Sequence, residues 1–534
     1  MMQLVVRSAA VGSLALAATL VAWGQTVGPA SEQLGKVDFP NSCSPAVQEK
    51  FLRSVALLHS FWYSEAERTF EEVAVEDRTC AIAAWGFASI LMNNPLAGFG
   101  AAPKDALRAQ TAIERGRQMG AKTQRERDYI EAVAAYYEDF ANRPERARQL
   151  SRAKAFEALA AKYPDDDEAQ IFYALYLAST QVLSDQSYSA YRKAAGILEK
   201  QFAKHPDHPG VAHYLIHSYD APPIAQQGLP AARRYALIAP DAPHALHMPS
   251  HIFTRVGAWT ESVATNRRAA AAARKGNTDP DGAYHASDYM VYAYLQLARD
   301  SDAQRTFEEA MQVTGTNPAR AITAPYAIAA MPARITVERG AWREAAQLQP
   351  TPSKYPLTEA MTHFARALGA ARSDDAASAQ KDVEQIAQLR DMLKTAKNEY
   401  WATEVEVMRL TGSAWTSLAR KNVDEALSLM RQAADVEDKN EKHIVTPARI
   451  MPARELLGDM LLELKRPAEA LKEYEASQDR EPNRLRGLHG AGMAASQLGD
   501  TAKAKQYFGR LLNMAGSASP RTEVSNARAY LASN

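Results

Sequence analysis

From residue 46 to residue 515 the chain keeps returning to one local arrangement, and the return has a period. Ala470 followed by Tyr474 is matched by Ala504 followed by Phe508, a displacement of 34 residues. A fixed period of this size constrains a fold more than composition does, because one short unit cannot bury its apolar face alone and must stack on its neighbours. Within the units the apolar residues recur at helical spacing, as in Phe51-Leu52-Val55-Leu58 and Phe172-Leu175-Tyr176-Ser179, and no stretch alternates like a strand. The breaks are short and carry turn residues: Asn93-Asn94-Pro95, Asn142-Arg143-Pro144, His205-Pro206-Asp207, Asp241-Ala242-Pro243, Thr278-Asp279-Pro280 and Glu481-Pro482-Asn483. The expectation is an all-α chain of antiparallel helix pairs.

A 34-residue unit of two helices, with a small residue at the crossing and an aromatic four places later, resembles the tetratricopeptide repeat (TPR) superfamily. Tyr63, Ala66 and Phe70 carry the same signature, as do Gly257, Trp259, Ser262 and Asn266. Ala303 with Phe307, Gly340 with Trp342 and Ala345, and Ala426 with Met430 carry weaker forms of it. Pro164, Pro206 and Pro482 fall where that family closes its second helix. The resemblance implies a right-handed superhelical solenoid whose concave wall is lined by the first helix of each pair, and it implies that peptide segments of partner proteins bind there.

The first 24 residues read as a signal peptide rather than as part of the fold. A short start ending at Arg7 leads into an apolar run over residues 8–21, and Ala22-Trp23-Gly24 places small residues where a signal peptidase reads. Cleavage is expected before Gln25, giving an exported chain, periplasmic or secreted. No later stretch is apolar enough to span a membrane, so no membrane insertion is expected of the mature chain. The expected division is residues 1–24 signal peptide, 25–45 linker, 46–204 N-terminal repeats, 205–300 central histidine-rich repeats and 301–534 C-terminal repeats.

Charge and cysteine usage narrow the partners. Lys and Arg together equal Asp and Glu at 62 each, and a zero net charge argues against the broad basic surface that nucleic acid requires, so, local patches aside, none is expected as a partner. The two cysteines, Cys43 and Cys80, build neither a CxxCH haem attachment nor a four-cysteine zinc site. In an oxidising compartment they are candidates for a disulfide, with two free buried thiols as the alternative. No phosphate-binding GxxxxGK[ST] loop is present, and no nucleotide is expected; GxSxG, HExxH and EF-hand patterns are also missing.

The histidines are the one chemical constellation. Of 12, seven lie between His205 and His251 and an eighth is His285, where an even spread would put about one in that window. His213 and His217 are four apart, as are His247 and His251, with His244 three before His247. On a helix such spacing puts imidazoles on one face within about 6 Å, where two ring nitrogens can meet one metal ion. The repeat frame places His244, His247 and His251, then His285 and Asp288, and before them His213 and His217, on three successive first helices. Asp288 is a candidate ligand or a support for a ligand imidazole, and Asp220, Tyr214, Tyr219, Tyr284 and Tyr289 are candidate supports. Pro249 inside His247-Met248-Pro249-Ser250-His251 is expected to kink its helix, echoed by Met331-Pro332 and Met451-Pro452. His205 and His208 read as turn or capping residues, and His59, His363, His443 and His489 as hydrogen-bonded singles.

Imidazole suits Zn, Cu, Fe and Ni, so the residues leave the metal open. The leading reading is a solenoid that binds a transition metal, or a ligand through it, in its concave groove. The alternative is a peptide-binding scaffold whose histidines only hydrogen-bond. A metal-dependent enzyme of unknown reaction is the third, since no catalytic motif is recognisable.

Overall fold

The computed structural model describes residues 32–275, 278–317 and 322–533. The expected signal peptide, and residues 25–31 of the expected linker, lie outside them. The chain divides into Met1–Glu32, of which only Glu32 is described, and Gln33–Asn534.

Among the described residues there is no strand, and helices follow one another from Gln48–His59 to Thr522–Ser533. They pair as the period requires. Tyr63–Glu76 buries Ala66 and Phe70; Pro467–Arg480 buries Ala470 and Tyr474, and Thr501–Ala515 buries Ala504 and Phe508. The aromatic at the fourth place packs where the facing helix carries glycine: a Cβ at Gly86 would overlap the Phe70 ring, and one at Gly490 the Tyr474 ring. The small residue and the aromatic are thus two halves of one crossing, which lets neighbouring helices approach closely. The fold is TPR-like. None of the helices among the described residues is long and apolar enough to cross a membrane.

The apolar core forms three contiguous clusters. The first extends from Leu34 to Phe253, a central one includes Leu246, Trp259, Tyr292 and Met331, and the last extends from Ala298 to Ala527. The first runs past residue 204 because each stacked pair shares its core with the next. The expected linker is not loose. Residues 32–44 form no helix, but Phe39 stacks on Trp85 with ring centres 4.8 Å apart. The Ser42 amide donates to Glu126 Oε1 at 2.7 Å. A disulfide joins Cys43 to Cys80 with a Cα separation of 4.6 Å; closing a loop of this length stabilises by about 3–4 kcal/mol in the chain-entropy account.

The three Met-Pro pairs have three outcomes. Pro332 sits inside the unbroken helix Thr323–Glu338, and Pro452 directly precedes the helix Ala453–Glu463. Pro249 splits its helix into Pro243–His247 and Pro249–Arg255. Lacking an amide hydrogen, Pro249 cannot bond to Ala245, and the ladder resumes with a bond that spans three residues, from His251 N to Met248 O.

One connection reaches back to distant parts of the chain. Residues 440–452, between Val423–Asp438 and Ala453–Glu463, are almost wholly buried. Glu441 N donates to Leu183 O, His443 Nε2 lies 3.0 Å from Ala97 O, and Arg334 donates to the carbonyls of Ala448 and Arg449. This segment therefore packs against helices and loops far from it in sequence.

Candidate metal centre

Three successive first helices, Pro209–Tyr219, the split pair Pro243–His247 and Pro249–Arg255, and Pro280–Gln296, bring six imidazoles together. They fall into two sets of three. His213, His217 and His244 form one, and His247, His251 and His285 the other; within each set the ligand atoms lie within 4.8 Å of one another. The sets touch: ring centres are 5.5 Å apart for His217 and His251 and 5.9 Å for His244 and His247. All six are buried except His244, which is partly exposed.

The partners of the Nδ1 atoms decide the tautomers. His213 Nδ1 lies 2.6 Å from the carbonyl oxygen of His59, which can only accept. His251 Nδ1 lies 2.8 Å from Asp220 Oδ2. His247 Nδ1 lies 2.6 Å from Asn266 Oδ1, whose orientation is set by the Asn266 amide nitrogen donating to Ser262 O at 2.8 Å. Each of these three rings therefore carries its hydrogen on Nδ1 and presents a bare Nε2 lone pair, the arrangement by which supporting groups aim metal ligands.

What those lone pairs meet is the decisive geometry. His247 Nε2 and His251 Nε2 face each other at 3.1 Å with no hydrogen between them. The Tyr289 hydroxyl, 3.4 Å from His251 Nε2, has one proton and the nearer carbonyl of Thr446 at 3.2 Å. Two nitrogens about 2.0–2.1 Å from a shared tetrahedral ion would stand about 3.3 Å apart. Among the described residues, His213 Nε2, both nitrogens of His217 and His244 Nε2 are buried without a hydrogen-bond partner. Buried polar atoms without partners are costly and call for an explanation.

Electrostatics keep the rings neutral. Burial, then repulsion from neighbouring imidazoles, holds His213, His217, His244 and His285 well below the ordinary histidine range. His247 is held there by burial and His251, with Asn266 opposing, and His251 is lowered by burial although Asp220 opposes it. Asp220 stays ionised: burial pushes it upward, but Lys442 and Arg255 outweigh this and hold it well below the usual carboxylate range. Arg255 Nε donates to Asp220 Oδ1 at 2.7 Å, and Lys442 Nζ from the segment 440–452 lies 3.4 Å from the same oxygen. Burial and the nearby Arg255 pull Lys442 down to about 8.

Asp288 does not join the site. One turn beyond His285 and in neither set of three, it turns Oδ1 to the buried Arg334, which donates from Nε at 2.9 Å, because an uncompensated guanidinium there would be costly, and its Oδ2 is buried without a partner among the described residues. Of the other expected supports Asp220 holds the His251 ring, Tyr289 lies beside the second set, and Tyr214 bonds instead to His59 Nδ1. Tyr219 donates to Glu199 and Tyr284 to Val313 O, both away from the cluster. His208 caps its helix by accepting from Val211 N. His363, His443 and His489 lie within bonding distance of Asp382, Ala97 O and Asn526. Asn266, Lys442 and the His59 carbonyl were not expected. Asn266 had a signal: it stands four places after Ser262, where other units carry an aromatic, and a polar residue in that buried slot demands a polar partner.

A third trio shows what a satisfied cluster looks like. His59, Glu168 and His208 also lie within 4.8 Å, but both His59 Nε2 and His208 Nε2 meet Glu168 oxygens at 2.9 Å. Every ring nitrogen there has a partner.

No family model matches the chain, and no curated protein does. Among solved structures it is similar to the human IFIT1 dimer with m7Gppp-AAAA, at 12% identity and a TM-score of 0.37 over 86% of this chain and 95% of that one. It is also similar to the Cut9–Hcn1 hetero-tetramer of APC/C, at 11% identity, a TM-score of 0.29 and coverage of 90% and 96%. Yeast Tom70 matches at 11% identity, a TM-score of 0.30 and coverage of 90% and 88%. Likeness at this level says nothing about the histidine site.

Proposed function

We infer that this is an exported TPR-like solenoid that binds transition-metal ions through two tri-histidine sets. The observation that carries the reading is the pair of bare Nε2 atoms facing each other at 3.1 Å, each fixed in its tautomer by a partner behind it. Two lone pairs at that distance repel, and a shared cation turns the repulsion into coordination. The unpartnered nitrogens of the first set support a second ion. The segment 440–452 supports metal over peptide as the ligand here, since the chain itself lies against this site: Lys442 meets Asp220, and Thr446 meets Tyr289. Export is supported by the pattern of the first 24 residues and by the Cys43–Cys80 disulfide, which belongs to oxidising compartments.

The test is metal analysis of protein made without a histidine tag, stripped by chelator and reloaded with Zn, Cu, Ni or Fe. The expected result is one or two ions per chain, according to the metal's charge, with a raised thermal midpoint. Stripped protein that binds none of these metals above the level of a His247→Ala, His251→Ala double variant would refute the reading.

A further inference from the structure

Two adjacent ions would share one chemical purpose, and the donor sets narrow it. All six ligands are imidazoles, with no thiolate and no carboxylate. The nearest carboxylates face cations, Asp220 meeting Arg255 and Lys442, and Asp288 meeting Arg334 through Oδ1 alone while its Oδ2 is buried without a partner among the described residues. Two divalent ions would place four positive charges in a buried site with no ligand anion against them, which the interior tolerates poorly. Iron(II) sites of the common facial type require a carboxylate that is missing here. Two copper(I) ions carry half that charge, and imidazole is a good copper ligand.

We propose that the two sets form one dinuclear copper centre that binds dioxygen between its ions. This rests on the metal reading and goes beyond it by naming the substrate. Ring contacts across the sets, His217 to His251 and His244 to His247, put both ions within reach of one small molecule. Access is narrow: only His244 is partly exposed. Phe61 lies over the first set, its ring centre 4.4 Å from that of His213 and 5.6 Å from that of His244. A diatomic apolar molecule passes such a wall more readily than an organic substrate.

The electrons balance within the site. Each copper(I) gives one electron and becomes copper(II), and dioxygen takes both, its O–O double bond becoming the single bond of peroxide. The two negative charges gained by oxygen offset the two positive charges gained by the metals, so the buried site keeps its net charge. No proton and no outside reductant is consumed, and release of dioxygen returns both electrons.

The experiment uses the full chain without a tag, stripped, loaded with copper(I) under argon and then exposed to dioxygen. The expected result is two coppers per chain, one dioxygen taken up per pair and no signal from isolated copper(II) in electron paramagnetic resonance. A charge-transfer absorption should appear with oxygen and fade on evacuation. His217→Ala and His285→Ala, one in each set, should each keep one copper and lose oxygen uptake by at least about tenfold, the floor set by losing a mere supporting partner. Helical content by circular dichroism shows whether each variant folds; if neither does, the oxygen stoichiometry of the unaltered chain decides. Two coppers bound without oxygen uptake, or independent copper(II) signals after exposure, overturn the dioxygen proposal and leave metal binding standing. A chain that takes up zinc but no copper also overturns it, whereas a chain that holds no metal at all overturns the underlying reading.

Discussion

The two central histidine sets and the His59–Glu168–His208 trio look alike by every crude measure. Each gathers three metal-ligating side chains, and nearly all are buried. They differ in where their hydrogens go. In the trio one carboxylate accepts from both rings, while Tyr214 and the Val211 amide take the remaining nitrogens. In the central sets acceptors sit behind His213, His247 and His251, the Nε2 atoms of His247 and His251 face only each other's lone pairs, and His213, His217 and His244 keep ring nitrogens with no partner among the described residues. Proximity of ligand-type residues is therefore a poor sign of a metal site; unmet lone pairs held in a fixed tautomer are a good one.

The largest test of that contrast is the double variant His247→Ala, His251→Ala. Calorimetry should find metal binding by the second set abolished and the metal-induced rise in thermal midpoint reduced, with helical content unchanged. Asp220→Asn comes next, because that carboxylate serves both site and fold. Metal affinity should fall by about 10–100-fold. Urea unfolding should show a loss of about 3–5 kcal/mol, since Arg255 and Lys442 lose their buried counter-charge.

Glu168→Gln should behave in the opposite sense. Its metal content should equal that of the unaltered chain, while stability drops by about 1.5–3 kcal/mol for hydrogen bonds to a charged group. A loss of metal in this variant would erase the distinction between the clusters.

A smaller effect follows from pH. The buried histidines have folded-state values below their unfolded value of about 6.5, so below that pH the unfolded chain binds more protons than the folded one. Their neutral burial is fully tolerated above pH 6.5, and stability falls as pH drops beneath it. The thermal midpoint of metal-free protein should be lower at pH 5.5 than at 7.5, and proton competition with metal should set in only below 6.5. Smallest of all is His363→Ala, which removes a ring bonded to Asp382 and should leave metal content untouched.

Much of this molecule was legible before any coordinate. The 34-residue period and the helical spacing predicted helix pairs, and the four-residue histidine spacing predicted shared helix faces, because both are local regularities of one backbone geometry. Asp288 shows the limit. Its position one turn after His285 is as favourable as any in the list, and only the arrival of Arg334 from the next helix pair draws it away.

What the sequence by itself determined is the architecture and the roll of ligand candidates, since each depends on residues a few places apart. Tertiary structure alone decided which of them point at one another. His213 is aimed by a carbonyl 154 residues earlier, and His251 by Asp220, which is in turn held by Lys442 from 222 residues later. A hydrogen bond that fixes a tautomer is short and directional, so it depends on how distant repeats stack, and no local pattern in the chain records that.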